Sequence, residues 1–155
     1  MRTRQRATPR RSGGAPDRLF VDSGAWIALV SARDRRHAEA DAMFREAAAR
    51  RIRLLTTNLI VAEVHRVLRT RVGARAALRV LDRFEASPLT LVEFATGEHH
   101  RAARVWLERL ADLAISYTDA VSFAVMEATR CAAALSFDRG FERAGFRRWR
   151  AGARA

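Results

Sequence analysis

Apolar residues run along this chain in two rhythms. Short apolar blocks, "RLFV" (18–21), "IRLLTT" (52–57), "LTLVEF" (89–94) and "CAAALSF" (131–137), read as strands, the last of them buried. Between them the spacing becomes helical. "SGAWIALV" (23–30), residues 37–51, "LIVAEVHRVLRTRV" (59–72), "ARAALRVLDRFEA" (74–86) and "EHHRAARVWLERLAD" (98–112) each repeat apolar positions three or four apart. Asn58 is placed to cap the third of these helices and Gly73 to end it, while Pro88 stops the fourth. "LAIS" (113–116) is a candidate short strand, and "FRRW" (146–149) a candidate edge strand. Strands alternating with helices predict an α/β fold, three layers deep, with a mostly parallel central sheet. No internal repeat interrupts the alternation.

Length and composition narrow this further. A chain of 155 residues, 49% hydrophobic and 30% charged, has room for one domain with a substantial core. The expected division is a basic, disordered arm over 1–18, a domain over 19–150 and a short tail over 151–155. The arm, "MRTRQRATPRRSGGAP", is open to two readings, an RNA-binding segment or an artefact of start-site assignment. No apolar run is long enough to cross a bilayer and no secretory h-region follows the N-terminal arginines, so a cytoplasmic protein is expected. The lone Cys131 cannot form an internal disulfide.

The net charge of +12 calls for an anionic partner such as nucleic acid or an acidic protein. Six arginines and Asp17 put five of those charges in residues 1–18, which leaves a basic body even without the arm. Every cation is arginine, for the sequence contains no lysine. That excludes P-loop nucleotide binding and Schiff-base catalysis, which both need the missing ammonium.

Against this basic background four carboxylates stand out. Asp22 follows the first strand and Asp138 the last, so a parallel sheet brings both to the edge where ligands bind. Glu63 shares a helical stripe with Ile60, Val64, Val67 and Leu68. Asp119, in "SYTDAVSFAV", lies between the apolar Ile115 and Val121 in the first turn of a helix. Each has a local alternative: a helix cap for Asp22, a rim position or an arginine partner for Glu63, the helix dipole for Asp119. Four acids at one edge would repel one another, which raises their pKa values or demands a cation, and Mg²⁺ or Mn²⁺ suits an all-oxygen donor set.

At these residues the sequence resembles the PIN-domain family, most closely the VapC-type toxins of bacterial type II toxin–antitoxin systems. The likeness runs from about Leu19 to Trp149. "FVDSGAWIAL" resembles the opening strand with its acid at Asp22 and a hydroxyl at Ser23; "TTNLIVAEVHRVL" resembles the second motif, with its acid at Glu63. "YTDAVSFAVM" places the third acid at Asp119, and "ALSFDRGFERAGF" the fourth at Asp138, with Ser136 as a supporting hydroxyl.

The resemblance implies a Mg²⁺- or Mn²⁺-dependent endoribonuclease that leaves a 3′-hydroxyl and a 5′-phosphate. Asp22, Asp119 and Asp138 would bind metal, Glu63 would complete the cluster or orient the attacking water, and Ser23, Thr118 and Ser136 would hydrogen-bond the carboxylates. Arg66 and Arg139 are candidates for contacting RNA phosphates. A homodimer held in check by a cognate antitoxin is implied too, with no membrane partner. The rival readings are a PIN-like module that binds RNA or protein without cutting, and a metal-dependent nuclease of RNA processing. His65, His99 and His100 are expected to be surface or packing residues.

Overall fold

The computed structural model describes residues 16–152. In chain order it contains β1 (Arg18–Val21), α1 (Ser23–Val30), α2 (His37–Ala49), β2 (Arg53–Thr57), α3 (Asn58–Arg71), α4 (Ala74–Ala86), β3 (Thr90–Glu93), α5 (Gly97–Arg109), α6 (Tyr117–Ala128), β4 (Ala133–Leu135), α7 (Gly140–Arg143) and β5 (Arg147–Arg148). The strands form one five-stranded sheet in the order β3-β2-β1-β4-β5. Every neighbouring pair is parallel, with Phe20 opposite both Leu55 and Ala134. The predicted α/β class is the observed one, and "FRRW" supplies the edge strand β5. Residues 1–15 of the expected arm lie outside the described residues. Arg18, the last position of that arm and the first of the "RLFV" strand, opens β1 opposite Arg53.

Two local expectations are corrected. Thr57, not Asn58, caps α3: its hydroxyl accepts from the Ile60 N–H, while the Asn58 side-chain Oδ1 accepts from the Ala95 N–H and so ties down the loop after β3. "LAIS" forms no strand, because residues 110–116 are taken up by tight turns that lead into the capping box of α6. Gly73 performs as expected. Its φ of 114° lies where side chains are rarely tolerated, and it turns the chain from α3 directly into α4.

The inner strands are buried because helices cover both faces, whereas the edge strand β3 leaves Leu91 exposed. Leu19, Phe20, Val21, Leu55, Ala134 and Leu135 have no or almost no solvent exposure, which is why these segments read as unbroken apolar runs. One aromatic cluster joins Phe123 to Trp106, Phe141 and Phe146; another joins Trp26 to Phe44 and Phe84. The first fixes α6, the helix that carries Asp119, to its neighbours. No helix among the described residues is long and apolar enough to cross a membrane.

Phe123 is fully buried at the centre of the first cluster. Phe123→Ala is expected to lower the unfolding free energy by about 3–5 kcal/mol, measured by urea denaturation. A loss below about 1 kcal/mol would mean that the cluster does not anchor α6.

Candidate active site

The four acids come from four elements that adjoin the carboxyl edge of the sheet. Asp22 ends β1 and caps α1; Glu63 lies in α3, the helix that follows β2; Asp119 is in the first turn of α6; Asp138 follows β4. Because the strands are parallel, their carboxyl ends share an edge. Between β1 and β4 the strand order reverses direction, and such a switch point opens a crevice in α/β sheets. Asp22 and Asp138 flank it.

Asp22 is the most constrained of the four. It is 7% exposed, its Oδ1 accepts the Ser23 N–H at 2.7 Å, and its Oδ2 accepts the Ser136 hydroxyl at 2.9 Å. Burial pushes its pKa up from 3.8 to about 7; Asp119 and Asp138 add repulsion, while the bonds from Ser136 and Ser23 oppose the rise. The Ser136 hydroxyl also accepts the Asp138 N–H at 3.0 Å, and Asp138 Oδ1 accepts the Gly140 N–H at 2.8 Å. One serine therefore ties the first acid to the fourth.

Asp119 is half-buried and reciprocally bonded to Ser116. Its Oδ2 accepts the Ser116 N–H at 2.7 Å and hydroxyl at 2.8 Å, and its own N–H donates to the Ser116 hydroxyl at 3.0 Å. Its Oδ1 accepts no hydrogen bond among the described residues. Glu63 is half-buried and, among the described residues, forms no ion pair although the chain holds 29 arginines.

Asp22 feels Asp119 and Asp138, but Glu63 is not among the groups that raise its pKa. Among the described residues, no three or more His, Cys, Asp or Glu side chains stand together closely enough to hold one ion. Asp22, Asp119 and Asp138 thus lie within reach of one another at the rim with their side chains apart, and Glu63 stands outside that group. The donor chemistry nevertheless suits a hard divalent cation: all candidate ligands are carboxylate oxygens, several lone pairs are open, and a buried carboxylate gains most from a nearby positive charge.

The flanking candidates divide. Ser136 bonds Asp22 as expected, but Ser23 does so through its backbone N–H. Thr118 gives its carbonyl to Ser122 and no hydroxyl bond to a carboxylate among the described residues. Arg66 is exposed on α3, and Arg139 is the exposed residue before α7. His99 completes the capping box of α5, and His100 packs against Tyr117.

Two roles escaped the sequence. Ser116 was not singled out, although serine three residues before an aspartate is a capping-box signal. Arg148 Nη1 donates to the Phe137 carbonyl at 3.2 Å and Arg150 Nη1 to the Ser136 carbonyl at 3.0 Å, so β5 and the residues after it hold the segment leading to Asp138. No local pattern separates these arginines from the other basic residues. A cavity of about 260 Å³ lined by Trp26, Phe44, Ile52, Leu54 and Leu89 lies near the opposite ends of β2 and β3 and contains none of the four acids.

With this geometry in view, the relatives are informative. The PIN-domain family model matches residues 19–147. The chain belongs to the PIN-domain family.

Within that family it is 34% identical over 128 residues to the 23S rRNA-specific endonuclease VapC20 of Mycobacterium tuberculosis, covering 83% of this chain and 95% of the relative. The crystal structure of M. tuberculosis VapC20, described as a sarcin-ricin loop cleaving toxin, superposes with a TM-score of 0.77 over 85% of this chain and 98% of that one, again at 34% identity. VapBC2 from Rickettsia felis, solved bound to a promoter DNA fragment, matches at a TM-score of 0.64 over 85% of this chain and 97% of that one. At 12% identity it speaks for the fold alone.

The raised pKa of Asp22 makes the stability of this PIN domain pH-dependent. In the unfolded chain Asp22 ionises near 3.8, whereas in the fold it holds its proton to about 7. Its favourable contribution is therefore complete below pH 4 and is lost as the pH rises through 7. In chelator, urea denaturation from pH 4 to 8 should show wild type losing stability relative to Asp22→Asn, by an amount on the order of a few kcal/mol. A difference that is flat, or that runs the other way, would contradict the placement of Asp22.

Proposed function

We propose that this chain is a divalent-metal-dependent endoribonuclease and the toxin of a type II toxin–antitoxin pair. One observation carries the reading: at the carboxyl rim of a PIN fold, Asp22 is sealed from water yet lies within the electrostatic reach of Asp119 and Asp138. A purely structural role leaves that arrangement unexplained, because two extra acids only add to its cost. The likeness to VapC20 supports an RNA substrate, and ribosomal RNA is the first to test.

Asp22, Asp119 and Asp138 are the proposed ligands of Mg²⁺ or Mn²⁺, with Glu63 completing the set or orienting the attacking water. Such an ion, when bound, polarises the phosphoryl oxygen and lowers the pKa of water so that hydroxide is available for in-line attack. The chain's own residues supply orientation. Ser136 fixes Asp22 and the Asp138 backbone together, Ser116 holds one oxygen of Asp119 and leaves the other open, and Arg148 and Arg150 hold the carbonyls of the segment before Asp138. Arg66 and Arg139 remain the proposed phosphate contacts. A cognate antitoxin, a homodimeric state and a cytoplasmic location complete the proposal.

Purified protein incubated with total RNA and Mg²⁺ or Mn²⁺ should give discrete products that chelator abolishes. Asp119→Asn should cut at least about a hundredfold more slowly, as is common when a group that shapes the reaction is removed, yet remain folded by circular dichroism. It should also lower the Asp22 pKa by removing repulsion. A folded Asp119→Asn that cleaves at the wild-type rate would overturn the ligand assignment, and intact RNA with folded, metal-loaded wild type would overturn the nuclease. Glu63→Gln should reduce turnover more than stability; unchanged turnover would remove Glu63 from the site.

A further inference from the structure

Tyr117 is the only tyrosine in the chain, and it is 49% exposed at the first position of α6, two residues before Asp119. Its ring lies nearly parallel to that of His100, at 16° and 5.7 Å between centroids, and the Tyr117 hydroxyl and His100 Nδ1 share a hydrogen bond of 2.6 Å. Two rings are thus held in fixed relation while a face of the pair stays in water. Fixing them costs side-chain entropy and exposing them forgoes apolar burial, so the arrangement is poorly explained by stability. For a flat ligand it is favourable, because the ordering cost is met before binding.

The surroundings favour one kind of flat ligand. His100 in the first turn of α5 and Tyr117 at the start of α6 both follow the carboxyl rim, the edge that carries the acids. Phe94, 71% exposed, leaves β3 at that rim. Arg101 is exposed, with Nη1 turned back toward Gly97, where an added Cβ would meet it at 3.5 Å. Among the described residues this guanidinium has no carboxylate partner. Aromatic faces interleaved with arginine suit a polyanion with planar side groups, and unpaired RNA bases are commonly held by stacking on such rings.

We propose that Tyr117 and His100 form a stacking platform for an unpaired nucleobase of the RNA strand entering the acidic crevice, with Arg101 beside it for phosphate. The inference rests on the ribonuclease reading and adds a place on the β3 side of the acids where a base beside the scissile phosphate is held. The chemistry recognised is the planar face of the base, so recognition at this point is tolerant of sequence.

The test uses the full chain, Ca²⁺ in place of Mg²⁺ so that the crevice carries a divalent ion while cleavage is slowed, and a fluorescent single-stranded RNA with 5-iodouridine at alternate positions. Anisotropy measures binding, and long-wave irradiation followed by peptide mapping locates the base. Wild type should bind and form its main adduct at Tyr117 or His100. Tyr117→Leu, which keeps apolar bulk without a flat face, should lose that adduct and bind roughly fivefold or more weakly, whereas Tyr117→Phe should retain both. RNA that binds normally with adducts only elsewhere, or a Tyr117→Leu protein with wild-type affinity and adducts, would overturn the platform and leave the ribonuclease reading standing. Wild type that binds none of the RNA would overturn both. Because adduct mapping on wild type needs no variant, a Tyr117→Leu protein that failed to fold would not shield the proposal.

Discussion

The ionisation of one buried carboxylate governs this structure. Asp22 occupies the end of the central strand, where its two oxygens are held by the Ser23 N–H and the Ser136 hydroxyl and water is excluded. Two hydrogen bonds are insufficient to keep it in the ordinary aspartate range, since burial with Asp119 and Asp138 lifts its pKa to about 7. Near neutrality the group is balanced between holding a proton and accepting a cation. A fold that carries such a group accepts a loss of stability at the site, and the buried inner strands and the two aromatic clusters are what sustain it.

Topology explains why that position serves. From β1 the chain winds outward through β2 to β3, then returns across the sheet to place β4 on the other side of β1. The residues that follow β1 and β4 are thereby brought together from 114 positions apart, as the Ser136–Asp22 bond records. The return passes through α6, whose first turn delivers Asp119 to the same edge. Glu63 arrives through α3 on the other flank and stands outside the group that acts on Asp22.

Much of this could be read from the sequence because burial on both faces leaves an unbroken apolar block, and an acid at the end of such a block is conspicuous. The rim positions of Asp22 and Asp138 were legible for that reason; Glu63 stood out because it interrupts an apolar stripe, yet it lies outside the group that acts on Asp22. Contacts set by tertiary approach were harder to read. Thr57 displaced Asn58 as the cap of α3 because Asn58 is used across the fold by the Ala95 N–H. The grip of Arg148 and Arg150 on backbone carbonyls depends on β5 lying beside β4, which no neighbouring residue signals. Likewise the pairing of His100 with Tyr117 joins residues 17 apart through the packing of α5 on α6.

The charge distribution presents a final problem of sign. The chain is strongly basic overall and can draw in a polyanion, yet the rim around Asp22 carries acids that repel phosphate. The arginines packed beside Phe137 do not resolve this, since they are committed to other partners: Arg148 to Glu142 and the Phe137 carbonyl, Arg150 to the Ser136 carbonyl, and Arg36 to the face of Phe137. If the proposed reaction holds, a divalent cation must reverse the local sign before a phosphodiester can enter. Attraction by the body and exclusion by the bare crevice would then make metal loading a precondition for productive substrate entry as well as for chemistry.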